Sequence, residues 1–417
     1  MYKSIFITAM LASGCAMLTG CGGNNSYREP QDAIDGYAVQ VRFDKWNLVD
    51  IDGKDAFGGK TITSDDGEKY DGSLLSFKSS VSASVNGFYK IGNYSDGYTL
   101  LSKELDSDGK LVRLGPYRYV GMFYEDITPA VKKGESIIYI DRKGETVFDL
   151  NERTGLDVQY AYNFMGGLSV IAIVAESGIS IYGAINTKGE VVLEPKYSKL
   201  KYFGSGLYYA VDGTKEYSDN MDVDILDNTG RVMFSFKEKD YDIDQSNRNY
   251  HLYFTFKDGY GVLRMRNSSD CIIVDREGKE LLRTDGTKKP SKLSYCRSDE
   301  YFAFQDENRR WGIMDIDGKI VVPAEFLEIA WLDKDKFCGM KVGGDIVVCD
   351  YKGKQLFSRD GVIAPFVGDY SYCKSQGLIE FINSKGETLK AIYPERYSGY
   401  VYDYDNTLLD PVRTDVK

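Results

Sequence analysis

Residues 309–326 read RRWGIMDIDGKIVVPAEF. Two short apolar runs, 311–314 and 320–322, flank Asp315-Ile316-Asp317-Gly318. Runs of that length and composition on either side of a polar turn are strands. Asp at the first turn position hydrogen-bonds the backbone two residues on, and Gly at the fourth accepts the left-handed conformation of the strand exit. The stretch therefore predicts a β-hairpin. Its turn recurs along the chain as an apolar residue, Asp or Asn, two variable residues, Gly, then Lys, Glu or Arg. The copies are VDIDGK (49–54), LDSDGK (105–110), IDRKGE (140–145), INTKGE (185–190) and LDNTGR (226–231). VDREGK (274–279), MDIDGK (314–319), CDYKGK (349–354) and INSKGE (382–387) complete the set of nine. Successive turn glycines, from Gly53 to Gly386, lie 33 to 56 residues apart, about 42 on average.

Each copy is framed by strand-like runs, such as SIIYI and TVFDL around 140–145. A period of this size holds three or four strands. A lone hairpin is marginal in water, so the units must bury their faces on neighbours. The expectation is an all-β fold of tandem ~42-residue β-hairpin repeats, most simply a seven- to nine-bladed β-propeller. An open superhelical β array is the alternative. YAVQV (37–41) and YVYDY (400–404) are strand-like and lie at opposite ends of the chain; pairing them would close a ring. No long 3.6-residue periodicity follows the amino terminus, so little helix is expected.

Two units carry more than the turn. In one, Trp311-Gly312 precedes it, with Pro323 and Phe326 after it; in the other, Tyr182-Gly183 precedes it and Pro195, Tyr197, Phe203, Gly206 and Leu207 follow. These units resemble WG repeats. Trp46 matches the Trp position, but Asn47 stands where the Gly would be. Other units have Ile137-Ile138, Cys271-Ile272, Ile346-Val347 and Ile379-Glu380 there. The resemblance reaches residues 37–400 through the turn and two units through the whole motif. The family has no single activity, so it implies a fold rather than a function.

The amino terminus, MYKSIFITAMLASGCAMLTGC (1–21), has a basic Lys3, a 14-residue apolar run over 5–18, and Leu18-Thr19-Gly20-Cys21. The run is too short to span a bilayer. The last four residues resemble the bacterial lipobox, with Cys21 as the acylated residue; Cys15 is a weaker second choice. Residues 1–20 are thus expected to be a lipoprotein signal peptide, 21–36 a flexible Gly/Asn-rich tether, and 37–417 the repeat domain. The partner implied first is the membrane, through a lipid anchor on Cys21. The resemblance implies the bacterial cell envelope. The lack of Asp after Cys21 points to the outer membrane, with the periplasmic or surface face open.

The 417 residues include 52 Lys and Arg against 63 Asp and Glu, a formal charge of −11. With 42% apolar and 28% charged residues, a mostly disordered chain and a polytopic membrane protein are both excluded. An acidic chain is a poor nucleic-acid partner. The single histidine, His251, sits in an alternating strand-like run and is read as packing. There is no G-x-S-x-G, P-loop or H-E-x-x-H. No catalytic residue, metal or cofactor is expected. The paired acids Asp50/Asp52, Asp106/Asp108 and Asp315/Asp317 supply too few oxygens for calcium.

Five cysteines follow Cys21: Cys271, Cys296, Cys338, Cys349 and Cys373. A two-residue hairpin at Gly343-Gly344 would place Cys338 opposite Cys349, making this pair the candidate disulfide, although at a hydrogen-bonded position that suits a bridge less well. Tyr, Phe and Trp make up 13% of the chain, with 33 Tyr. Most are expected in the core, while YAYNF (160–164), GLYYA (206–210) and YSGYVYDY (397–404) are candidate contact surfaces. The leading expectation is a non-catalytic, membrane-anchored binding or scaffold module for envelope or surface proteins. The alternatives are a glycan-binding lipoprotein of an uptake or adhesion system and, less favoured, a carboxylate-based hydrolase or lyase on a propeller.

Overall fold

The computed structural model describes residues 33–414 apart from 94, 215–220, 242–255, 258, 267–270, 284–291, 295–300, 332–334, 376, 395–400 and 403–411. Strands dominate; the described residues hold one α-helix, Leu150–Thr154, capped by Asp149, whose carboxylate accepts the Glu152 amide. Residues 1–20, read as a signal peptide, and Cys15, Cys21, His251 and Cys296 lie outside the described residues.

All nine expected turns form, and they share one geometry. Each turn Gly has φ between +77° and +85°. Its amide donates to the carbonyl of the Asp or Asn three residues earlier at 2.9–3.1 Å. That Asp or Asn amide in turn donates to the carbonyl just after the Gly at 2.8–3.0 Å. This is a type I turn closed by a left-handed bulge residue, the common three-residue hairpin loop. At Asp141 the side-chain Oδ1 accepts the amides of Lys143 and Glu145, both at 2.9 Å. Asn186 and Asp275 repeat the arrangement.

The chain divides into two compact units. One comprises residues 197–375 with 383–387. It is built of four-stranded antiparallel meanders in chain order. The first complete one is Phe256–Lys257, Tyr260–Arg264, Cys271–Asp275 and Glu280–Arg283. The second is Lys292–Ser294, Tyr301–Gln305, Trp311–Asp315 and Ile320–Phe326. The third is Glu328–Trp331, Lys336–Met340, Ile346–Asp350 and Gln355–Ser358. In each, the expected turn joins the third strand to the fourth.

The other unit comprises residues 32–196 with 376–382 and 388–417. It contains the four-stranded meander Tyr119–Val120, Thr128–Val131, Ile138–Ile140 and Thr146–Asp149. Tyr160–Ala161, Leu168–Val174 and Ser180–Asn186 begin the next sheet. A larger sheet is built around Ile34–Arg42, Lys45–Asp50, Ser80–Val85, Phe88–Asn93, Gly97–Leu105 and Leu111–Tyr117. Strand Ile34–Arg42 starts inside the stretch read as tether, because Ile34 is buried opposite Val85. The expected pairing of the two ends is present: Ala38 faces Tyr402 and Val39 faces Val401. Lys390 also ion-pairs with Asp55, and the Tyr37 and Phe381 rings lie 6.0 Å apart. The first and last repeats therefore meet within this unit.

The WG motif has a local physical cause. A Cβ on Gly312 would lie 2.5 Å from the Val322 carbonyl and 2.8 Å from the Ala324 amide nitrogen. One on Gly183 would lie 2.6 Å from the Leu193 carbonyl and 2.9 Å from the Pro195 nitrogen. In both units the third strand presses on a fourth strand that carries Pro. Register slips there: Ile313 faces Val322, yet Trp311 faces Phe326. Pro323 sits in the slipped segment, where a ring without N–H wastes no ladder bond. The slip turns Phe326 into the core, edge-on to Phe337 with centroids 5.5 Å apart.

The expected Cys338–Cys349 bridge is not made, and both thiols are free. The loop is three residues, Val342–Gly344, rather than two: Lys341 and Asp345 pair across it, and Met340 faces Ile346. That shift sets Cys338 opposite Val348 and Cys349 opposite Phe337. A one-residue change in register puts the two sulfurs on opposite faces of the sheet.

Candidate functional site

The tyrosine stretches read as contact surfaces are largely interior. Tyr208 and Tyr209 of GLYYA are fully buried. The Tyr209 hydroxyl donates to Glu238 at 3.2 Å. In YAYNF, Asn163 and Phe164 are buried. Asn163 Oδ1 accepts the Met122 amide at 2.9 Å and the Thr128 hydroxyl at 3.2 Å, tying two sheets together. The YSGYVYDY stretch lies outside the described residues except for the backbone of 401–402.

The acids of the turns are engaged locally. Asp106 Oδ1 accepts the Asp108 and Lys110 amides, each at 2.8 Å. Asp52 pairs with Lys54 at 2.6 Å; burial opposes ionisation, but the Lys54 contacts hold the carboxyl below its usual range. Asp50 and Asp35 both converge on Lys103, which ion-pairs with Asp50 and approaches Asp35 Oδ1 at 3.8 Å. Here two carboxylates share one cation. Among the described residues no group of three His, Cys, Asp or Glu side chains is placed to hold a metal ion.

A different cluster gathers the side chains favoured in protein recognition. Tyr98 enters on strand Gly97–Leu105, and Tyr119 opens strand Tyr119–Val120. Their rings lie 6.4 Å apart. Lys90 Nζ sits 5.2 Å from the centre of the Tyr98 ring. The Arg118 guanidinium is 5.2 Å from the Tyr119 ring and that of Arg413 is 5.3 Å. Arg413 Nε also donates to the Tyr119 hydroxyl at 3.3 Å. Tyr98, Tyr119 and Arg118 are half-buried, and Lys90 is buried beneath them. Arginine over tyrosine gains from the ring quadrupole, and both residues are enriched where interfaces concentrate their energy. Nothing local announces this array, because its members span residues 90 to 413.

Within the same unit, polar struts link neighbouring sheets. Glu125 Oε1 accepts the Gly167 amide at 2.9 Å; burial raises the Glu125 pKa, and the Gly167 bond partly offsets this. The Tyr139 and Ser169 hydroxyls share a 2.7 Å bond, and burial holds the Tyr139 proton on.

A second, smaller feature is the hairpin Thr61–Thr63 with Lys69–Asp71, inserted after the first turn. It borders an open groove of about 560 Å³ lined by Lys60, Thr61, Lys69, Tyr70, Asp71 and Ser73 among others. Asn47 explains why this unit departs from Trp-Gly. Its Nδ2 donates to Asp55 at 2.7 Å and to the Ser73 carbonyl at 2.6 Å, anchoring the insert.

Fold and site together define an all-β repeat protein of the propeller type, rich in four-stranded antiparallel sheets, with a partly buried cation–tyrosine array. The WG containing repeat family matches residues 182–213 and 311–337. The chain is similar in structure to a eukaryotic initiation factor, with a TM-score of 0.50 at 11% identity, covering 88% of this chain and 98% of that one. BamB from Moraxella catarrhalis aligns with a TM-score of 0.31 at 12% identity over 76% of this chain and 85% of that one. The C-terminal WD40 domain of Sif2 gives 0.32 at 10% identity over 72% and 78%. No curated protein matches the chain in sequence.

Proposed function

We propose that this protein is a non-catalytic docking module for a protein partner, tethered to the bacterial envelope through Cys21. The observation that carries the reading is the Lys90–Tyr98–Tyr119–Arg118 array. Tyrosine supplies rigid contact area at low entropic cost and arginine supplies directed donors, the combination found at the centre of interfaces. The lipobox-like Leu18-Thr19-Gly20-Cys21 supports the tether, and its sequence context supports the outer membrane. Affinity capture from detergent-solubilised envelopes tests the proposal. A stoichiometric protein partner held by the wild type and lost from Tyr119→Ala is expected; no stoichiometric partner for the wild type would contradict it.

The groove beside Tyr70 favours a second reading, glycan binding. Tyr70 is 38% exposed and surrounded by hydroxyl, ammonium and carboxylate groups. A glycan array with no signal above background, or signal unchanged by Tyr70→Ala, would remove it.

A further inference from the structure

The carboxy-terminal segment Val412–Arg413 lies as an extra strand on the free side of Tyr160–Ala161, antiparallel, with Val412 opposite Ala161 and Arg413 opposite Tyr160. The amide of Thr414 continues the ladder by donating to the Gln159 carbonyl at 3.1 Å. Among the described residues, the corresponding first strands Tyr119–Val120, Phe256–Lys257, Lys292–Ser294 and Val362–Ile363 take no such extra strand. The segment is read by side chain as well as by backbone. Val412 is 2% exposed and packs with Ile127, Val131, Ala161 and Phe164. Arg413, one residue on, faces the other way onto Tyr119, to which it donates. Alternation of this kind is what a strand-addition site uses: ladder bonds supply affinity, and pockets for alternate side chains supply specificity.

We infer that this edge is a peptide-docking site occupied in cis by the chain's own tail. The partner it fits is an extended protein segment carrying a β-branched apolar residue followed by arginine. The inference deepens the docking-module reading and rests on it. A partner segment must displace residues 412–414 to bind, so the tail sets the threshold for docking. An attached tail competes at an effective concentration on the order of millimolar, so free peptide should bind the intact chain much more weakly than a chain without the segment.

The test uses the chain ending at Pro411 and the full chain, with a fluorescent peptide of sequence LDPVRTDVK, residues 409–417. Saturable binding to the shortened chain is expected, about tenfold or more tighter than to the full chain. Replacing the peptide's arginine by alanine should weaken binding about fivefold or more, and Tyr119→Ala in the shortened chain should do the same. A folded shortened chain that binds no peptide overturns the inference. So does equal binding to both chains, or a shortened chain that no longer folds, since residues 412–414 would then be a structural strand. Capture of the envelope partner by the full chain is read separately, so these outcomes can fail while the docking module stands.

Discussion

At eight of the nine turns the residue that follows the glycine complements the residue that opens the turn, Asp141 with Glu145 being the exception. Asn186 and Asn383 donate Nδ2 to Glu190 at 2.7 Å and to Glu387 at 2.6 Å. Asp227 instead receives Arg231 Nε at 3.1 Å. Asn186→Asp should set two carboxylates face to face and cost about 0.5 kcal/mol at low salt, an effect that shrinks as salt is added. Urea unfolding at low and high ionic strength measures it. The turn at Asp306 follows the same hydrogen-bond pattern with Arg309 in the glycine position at φ 60°. Arg309 is exposed, so Arg309→Gly should relieve strain and raise stability by about 0.5–1 kcal/mol. Gly312→Ala should act oppositely, losing about 2 kcal/mol, because its Cβ would meet backbone rather than a movable side chain. Thermal melting of both variants separates the two kinds of glycine site. For the cysteines, burial first, then the neighbouring Cys373 and Cys349, push the Cys338 thiol up to about 12; burial first also raises Cys349 to about 11. Unfolded thiols ionise near 8.5. The native state therefore holds these protons longer, so their contribution is present below about pH 8.5 and is lost as pH rises toward 11–12. Alkylation at pH 8 should leave both residues unlabelled until the protein unfolds.

Between elements, the turn glycine serves a second purpose. A Cβ at Gly386 would lie 2.6 Å from the Phe357 ring, on the fourth strand of the preceding repeat. Gly278 stands likewise over Phe234, and Gly144 over Leu114. The turn is thus both a hairpin and the foot on which one repeat stands on the last. Phe234→Ala should remove that footing, along with ring contacts to Phe236 and Phe256 at 6.2 and 5.8 Å, at a cost of about 2 kcal/mol. Calorimetry should show it as a lower melting temperature. These contacts explain what could be read in advance. The nine turns were legible because local hydrogen bonding demands Asx and Gly at set positions. The hairpins at Ala175–Gly178 and Lys341–Gly344 make the same backbone bonds without an Asx opener. The chain therefore hid the first of them, and at the second, read as a two-residue hairpin at Gly343-Gly344, it hid the register that separates Cys338 from Cys349. The Tyr119 array was hidden for a different reason: its residues share no spacing and meet only when distant strands pair.

At the scale of the molecule, both ends of the repeat domain are committed to one unit. Residues 401–402 pair with Ile34–Arg42, residues 412–413 with Tyr160–Ala161, and Lys390 with Asp55. Asp55 holds both Lys390 and Asn47, so Asp55→Ala takes the acceptor from the Lys390 ammonium and from one of the two Asn47 side-chain N–H bonds and should cost about 2–3 kcal/mol, read as a shifted urea midpoint. No described helix is long and apolar enough to cross a membrane. Under the proposed tether at Cys21, the repeat domain would face its partners from the membrane surface. The docking account is tested most directly by a photocrosslinking residue placed at Tyr98 in cells, with the same residue at exposed Ile179 as control. A discrete protein adduct at Tyr98 and none at Ile179 is the predicted result; no adduct at Tyr98, or the same adducts at both positions, would contradict it.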